Sequence, residues 1–309
     1  MKISEFEITE EKAGIRIDIN ASEISGLTRS QIHRMIERGL LKVNGHTTKT
    51  NYKTKTGDII SIISEDKNET LIPEDLPVEI LFKDDFLIVI NKPPDMVIYP
   101  GAGHDKGTLM NAVAYQSKKL SSIGAPLRPG VVHRLDKDTS GVIVVALDDK
   151  AYYGLIEQFR TRTINRKYKA LIYGSLKHNT GEISAKIGRS ASDRKKMSTE
   201  AKSGKEAVTT WKVLASFKGA TLVEAKLGTG RTHQIRVHFS SIGHPVLGDK
   251  TYGKKTSIEA GNKKIMFSRQ MLHAELLGFI HPITSEYMEF SAEMPEDMQE
   301  VAGILREIT

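Results

Sequence analysis

The segment GVVHRLDKDTSGVIVVAL, residues 130–147, gathers ionisable side chains at a spacing that could do chemistry. Two carboxylates, Asp136 and Asp138, sit in a polar turn between apolar runs, with His133, Arg134 and Lys137 beside them. A carboxylate among fixed cations stays ionised, as a nucleophile must. An Asp-rich turn held by local hydrogen bonds would produce the same pattern, so this segment alone leaves both roles open. His-Arg-Leu-Asp is superficially similar to the kinase catalytic loop, but the glycine-rich loop, the lysine strand and the Asp-Phe-Gly element are missing. There is no GxxxxGK[ST] loop, which argues against nucleotide hydrolysis.

Two further segments carry chemistry. In LGTGRTHQIRVHFSSIGHPVLGD, residues 227–249, Gly228 and Gly230 would let backbone approach a ligand or a neighbouring chain closely, and Arg231 opens an expected helix. His233 and His238 are five apart rather than at the i, i+4 spacing of a helical zinc site, so capping or packing suits them better. The stretch IGRSASDRKKMSTEAKSGKEA, residues 187–207, reads as a long basic loop or hairpin holding Arg194, Lys195 and Lys196. It is either a phosphate contact or a solvated loop.

The elements that must position these residues follow from the hydrophobic pattern. Residues 66–77, DKNETLIPEDLP, are polar, acidic and proline-bearing, and read as a linker between residues 1–65 and 78–309. In the first part, TRSQIHRMIERG suits a helix with capping-box spacing at Thr28 and Gln31, an apolar stripe of Ile32, Met35 and Ile36, and a stop at Gly39. Strand-like runs then flank an Asn-Gly turn. Between Gly26 and Thr56 seven basic residues, among them Arg29, Arg34, Arg38 and Lys42, face a single acid, Glu37. Such a surface could hold phosphates or simply be solvated.

In the second part, VEILFKDDFLIVINKPP predicts a hairpin around an Asp-Asp turn, GTLMNAVAYQSKKL a helix capped by Thr108, and VIVVAL a buried strand. Asp148 would cap the next helix, which runs to about Arg160. From Asn165 to Leu227 the pattern is mostly strand, then a helix at THQIRVHFSSIG and a last one at PEDMQEVAGILREI. Successive strands without regular helices between them predict an α+β fold with a large mixed, mostly antiparallel sheet and flanking helices.

Composition narrows the classes. The chain has 309 residues, net charge +7 and no cysteine, which excludes disulfides, thiolate catalysis and Cys-based zinc sites. The start MKISEFEITEEKAG lacks a basic n-region with an apolar run, and no stretch approaches the ~20 apolar residues of a membrane helix. A cytoplasmic protein is expected, with no membrane association and a monomer by default.

Together these segments resemble the RluA/RluD-type family of pseudouridine synthases. GVVHRLDKDTSGVIVVA is similar to its signature and RKYKALIYG to its second motif. IGRSASDRKKM, GKEAVTTWKVL, LGTGRTHQIRVHFSSIGHPVLGDKTYG and RQMLHAELLGFIHPIT follow in family order. The basic N-terminal segment resembles an S4-like (alpha-L) RNA-binding domain, although GIRIDINASEI places Asn20 and Ala21 where that domain carries bulky apolar residues.

The resemblance implies isomerisation of uridine to pseudouridine in structured RNA, without cofactor or metal. It assigns Asp136 as the catalytic carboxylate, Arg231 as the arginine paired with it, Tyr168 as the site tyrosine and Arg134 as the arginine near the position vacated by a flipped base. His133, Arg29, Arg34, Arg38, Lys42, Arg194, Lys195 and Lys196 are expected on the RNA-facing surface. The appended domain points to large-subunit ribosomal RNA as substrate. Transfer RNA, both RNAs together, or a non-catalytic role in RNA binding or ribosome assembly are the alternatives, and a hydrolase or transferase using Asp136 is a further one.

Overall fold

The computed structural model describes residues 2–27, 29–64, 70–101, 103–193, 196–253, 255–260 and 263–307. The chain divides into two compact units, Met1–Glu69 and Thr70–Thr309.

The N-terminal unit contains strand β1 (Lys2–Glu7), helices α1 (Ile17–Ser25) and α2 (Arg29–Glu37), and strands β2 (Leu41–Val43), β3 (His46–Thr47) and β4 (Ile59–Ser64). The antiparallel sheet runs β1-β4-β2-β3. Asn44 and Gly45 both have positive φ, as a two-residue hairpin between β2 and β3 requires. Ile32 and Ile36 of α2 are buried with Ile17 and Ala21 of α1 against Leu41, Ile60 and Ile62. The expected α2 cap at Thr28 lies outside the described residues. Asn20, a polar residue at a core position of α1, donates from Nδ2 to the Lys12 carbonyl at 2.7 Å and to Thr54 Oγ1 at 2.8 Å. Those bonds let a regular helix tolerate it.

The large unit contains β5 (Glu79–Lys83), β6 (Leu87–Lys92), α3 (Leu109–Gln116), β7 (Ser140–Ala146), α4 (Asp149–Thr161), β8 (Asn165–Tyr173), β9 (Thr180–Arg189), β10 (Met197–Ser198), β11 (Lys205–Phe217), β12 (Ala220–Leu227) and α5 (Gln234–Ser241). It ends with β13 (Ser257–Ala260), β14 (Lys263–Met266), β15 (Leu272–Ile280), β16 (Tyr287–Ser291) and α6 (Glu296–Glu307). The main sheet runs β10-β9-β11-β12-β8-β15-β7-β6-β5, with β16 on β15. β15 and β7 pair in parallel, and the other pairings are antiparallel. This is the mixed α+β sheet that the strand pattern predicts.

The sheet is covered on both faces, so β7 is buried along its whole length. Ile143 and Val145 pack with α3 and α5, whereas Val142, Val144 and Ala146 pack with α4. Gly141 sits at φ 116°, and a Cβ there would fall 2.2 Å from the Ala274 carbonyl oxygen of β15. Only glycine allows the strands carrying the 130–147 segment and β15 to lie this close. Thr108 and Asn111 form a reciprocal capping box on α3, and Asp148 accepts from the Lys150 N–H at the start of α4.

The expected linker is shorter than its composition suggests. Glu74 N–H donates to the Asn111 carbonyl at 3.0 Å, Asn111 Nδ2 donates to the Ile72 carbonyl at 2.7 Å, and Leu71 packs on the core of the large unit. Residues 70–77 therefore dock on that unit, and residues 65–69 lie outside the described ones. Among the described residues, no helix is long and apolar enough to cross a membrane.

Candidate active site

Asp136 lies on the loop entering β7. Its neighbour Leu135 is buried in the core and anchors the loop, and Thr139 N–H donates to the Asp136 carbonyl at 3.1 Å. The adjacent cations of the sequence do not face its carboxylate. Lys137 pairs with Asp95 at 3.0 Å. His133 turns inward, where its Nε2 accepts from Val144 N–H at 3.1 Å and its ring lies on Phe159. Burial, with Arg166 nearby, pushes His133 down to about 3, so it is neutral and contributes no charge toward RNA. Arg134 is exposed at the rim of the cleft.

The partner of Asp136 is Arg236. Its Nη1 donates to Asp136 Oδ2 at 2.7 Å, while its Nε and Nη2 grip both oxygens of Asp249 at 2.7 and 2.9 Å. Asp249 is fully buried and also accepts from the N–H groups of Thr251 and Tyr252. Burial opposes the charge of Arg236, but Asp249 and Asp136 outweigh it and hold its pKa above the usual arginine value. The expectation that Arg231 pairs with Asp136 is corrected here. Arg231 lines the same cleft, but its Nε donates to the Glu206 carbonyl at 3.1 Å and its N–H to Gln234 Oε1 at 3.0 Å. The helix α5 begins only at Gln234, so Arg231 belongs to the turn before it.

The signal that finds Arg236 is burial, which the mixed polar and apolar residues of this helix do not announce. Residues Gln234 to Phe239 are all buried. An arginine inside such a helix requires a carboxylate, and Asp249 follows within the same motif.

His233 adopts the left-handed conformation before α5, with Nε2 3.7 Å from Asp136 Oδ1 and Nδ1 2.8 Å from the Tyr252 hydroxyl. Burial lowers its pKa, against the opposing pull of Asp136.

Tyr168 projects from the inward face of β8 and lines the cleft with Asp136. Burial raises its pKa; Arg166 counters this and Asp136 adds to it. Two hollows meet at Asp136. One, of about 270 Å³, holds Tyr168, Arg166 and Arg231; the other, of about 410 Å³, holds Tyr99, Lys250 and Arg269.

Lys92 is a site residue that the sequence pattern does not reveal. It is fully buried at the end of β6 and donates to the carbonyls of Pro93, Met96 and Lys137 at 2.7, 2.9 and 3.0 Å. It thereby ties the loop after β6 to the loop bearing Asp136. Burial lowers its pKa to about 7, against the pull of Asp138 and Asp136.

The expected RNA-facing residues are spread widely. Arg34 is exposed on α2 and Arg38 is exposed in the turn just after it, Lys42 is half-buried on β2, and Arg29 pairs with buried Asp18. Lys196 lies 3.9 Å from Asp193, while Arg194 and Lys195 are outside the described residues. Among the described residues no group of three or more His, Asp or Glu is placed to hold a metal ion.

Comparison with known proteins gives the family. Residues 86–241 match the family described as RNA pseudouridylate synthase. An uncharacterized RNA pseudouridine synthase of Bacillus subtilis (strain 168), YlyB, is 42% identical over 98% of this chain and 99% of its own. The ribosomal large subunit pseudouridine synthase D of Zymomonas mobilis is 43% identical over 97% of this chain and 96% of its own. The solved structure of human RNA pseudouridylate synthase domain containing 1 superposes with a TM-score of 0.56 at 26% identity, covering 75% of this chain and 96% of that one. The chain therefore belongs to the RluA/RluD-type family of RNA pseudouridine synthases and is an enzyme of that class.

Proposed function

We propose that the enzyme isomerises uridine in large-subunit ribosomal RNA, with the Asp136 carboxylate acting at the ribose. The observation that carries this reading is the Arg236 bridge, which holds one oxygen of Asp136 at 2.7 Å where two hollows meet. A guanidinium fixed on its other edge by Asp249 orients the Asp136 carboxylate before substrate arrives. The choice of RNA is supported by relatives matching nearly their full length, from Zymomonas mobilis and Vibrio vulnificus, named ribosomal large subunit pseudouridine synthase D.

A stacked base is out of reach of Asp136, so the target uridine leaves the helix at a cost of roughly a few kcal/mol. Arg134, at the rim, is suited to the position the base vacates. Within the cleft Tyr168 offers a ring face to the uracil and a hydroxyl toward the carbon 5 proton. Asp136 attacks the anomeric carbon or draws a proton from C2′ to give a glycal. Both routes break the same bond, and in both the uracil turns and rejoins through carbon 5. Atoms and electrons are conserved, so the chemistry asks for no cofactor.

The N-terminal unit is read as an S4-like RNA-binding domain, with Arg29, Arg34, Arg38 and Lys42 as its phosphate contacts, and the basic run of Arg194, Lys195 and Lys196 is read as a further RNA contact. The setting is a monomer in the cytoplasm. Release of tritium from carbon 5 of labelled RNA tests the chemistry. Mapping pseudouridine in ribosomal and transfer RNA from cells with and without the protein tests the target, and loss confined to transfer RNA would overturn the ribosomal assignment.

A further inference from the structure

Strand β8 carries three cations in alternation with its core residues. Lys167 and Lys169 point to one face and pair with Glu224 at 3.4 Å and Glu275 at 2.6 Å. Arg166 points to the other face, the face of Tyr168, and is 7% exposed. Its Nε is buried with no hydrogen-bond partner, and no carboxylate pairs with its guanidinium among the described residues. The group lies against the Phe159 ring, 5.4 Å from the centroid, and lines the hollow that holds Asp136 and Tyr168. Burial lowers its pKa, so the charge is held at a cost.

Space is kept for this side chain. A Cβ at Gly230 would fall 2.7 Å from Arg166 Nη1. The Gly-Thr-Gly turn thus closes over the guanidinium through its second glycine.

A buried arginine without an anion fits a site whose negative charge arrives with the substrate. We infer that Arg166 is a further catalytic residue that donates to a carbonyl oxygen of the uracil and stabilises the negative charge this base carries while detached from the ribose. This rests on the synthase reading above. When the C1′–N1 bond breaks, its electron pair leaves with the uracil and spreads over N1 and the carbonyl oxygens. The C1′–C5 bond then forms from a ring electron pair, the carbon 5 proton departs and N1 gains one. Arg166 neither gains nor loses a proton in this sequence.

Position favours the base over a backbone phosphate. Arg166 and Tyr168 are two residues apart on one face of a strand, roughly 7 Å along it, which a uracil lying on the Tyr168 ring can span. A donor aimed at charge that develops during reaction raises the rate of the chemical step rather than the affinity.

The test measures single-turnover tritium release and RNA affinity for wild type, Arg166→Gln, Arg166→Lys and Gly230→Ala. Arg166→Gln is expected to slow the step by about a hundredfold with RNA affinity unchanged, and Arg166→Lys to recover part of the rate. Gly230→Ala keeps the arginine but displaces its guanidinium, and is expected to slow the step as well. It supplies the answer if Arg166→Gln does not fold. A substrate carrying 4-thiouridine, whose base holds negative charge more readily, is expected to shrink the Arg166→Gln deficit, which a merely structural residue would not do. Weakened RNA affinity with an unchanged rate would overturn the inference in favour of a phosphate contact. An unchanged rate in both variants would overturn it outright. Absence of tritium release by wild type on any RNA would instead defeat the synthase reading.

Discussion

Arg236 holds Asp136 and Asp249 at once, with Nη1 2.7 Å from Asp136 Oδ2 and Nε 2.7 Å from Asp249 Oδ2. One planar cation thus joins the loop entering β7 to the turn after α5. Lysine can supply the charge but not the fork. Arg236→Lys is expected to lower tritium release by about a hundredfold or more. Activity near wild type would show that the orientation of Asp136 has another source.

Asp136→Asn removes the carboxylate charge proposed to act at the ribose, and little volume. Arg236 keeps its bidentate bond to Asp249, so the fold is expected to survive with an unfolding temperature close to wild type. Tritium release should fall below detection while RNA binding persists. Measurable turnover would remove Asp136 from the chemistry.

Lys92 makes stability depend on alkaline pH. Its folded pKa of about 7 lies below the ordinary value of 10.5, so between them the unfolded chain binds more protons. Stability of the large unit is expected to rise as pH increases through that window. Lys92→Met should flatten the rise in thermal unfolding scans, at the expense of the three carbonyls it leaves unbonded.

Asp18 acts at the opposite end of the scale. Burial works against its charge, but bonds from Arg29, His33 and Arg16 hold its pKa well below the ordinary carboxylate value of 3.8. Its contribution is complete above that value and is lost as pH falls beneath it. Asp18→Asn is expected to destabilise the N-terminal unit by about 1–3 kcal/mol at neutral pH and to weaken its acid sensitivity, as followed by amide exchange on the full chain.

Arg34→Ala with Arg38→Ala tests the basic surface at the C-terminal end of α2. If both approach phosphates, the slope of log affinity against log salt is expected to flatten by about 1–2. An unchanged slope would mark the face as solvated.

Much of the local structure is legible in the sequence. The Asn44-Gly45 hairpin and the caps at Thr108 and Asp148 each depend on residues within a few positions of one another. The linker was legible only in part. Proline and acid content describe residues 70–77 well enough, yet Ile72 and Glu74 bond to Asn111, a partner no local pattern can supply.

By itself the sequence determined the mixed α+β class and the family, because period, turn chemistry and motif order are written along the chain, and it singled out the loop that carries Asp136 as the candidate for chemistry. Only the tertiary structure decided which arginine holds Asp136, since Arg236 is 100 positions away and Arg231 is nearly as far. The same holds for buried Arg166, whose Nε has no hydrogen-bond partner among the described residues. A missing partner is a property of the space around a side chain, and folding alone fills or leaves that space.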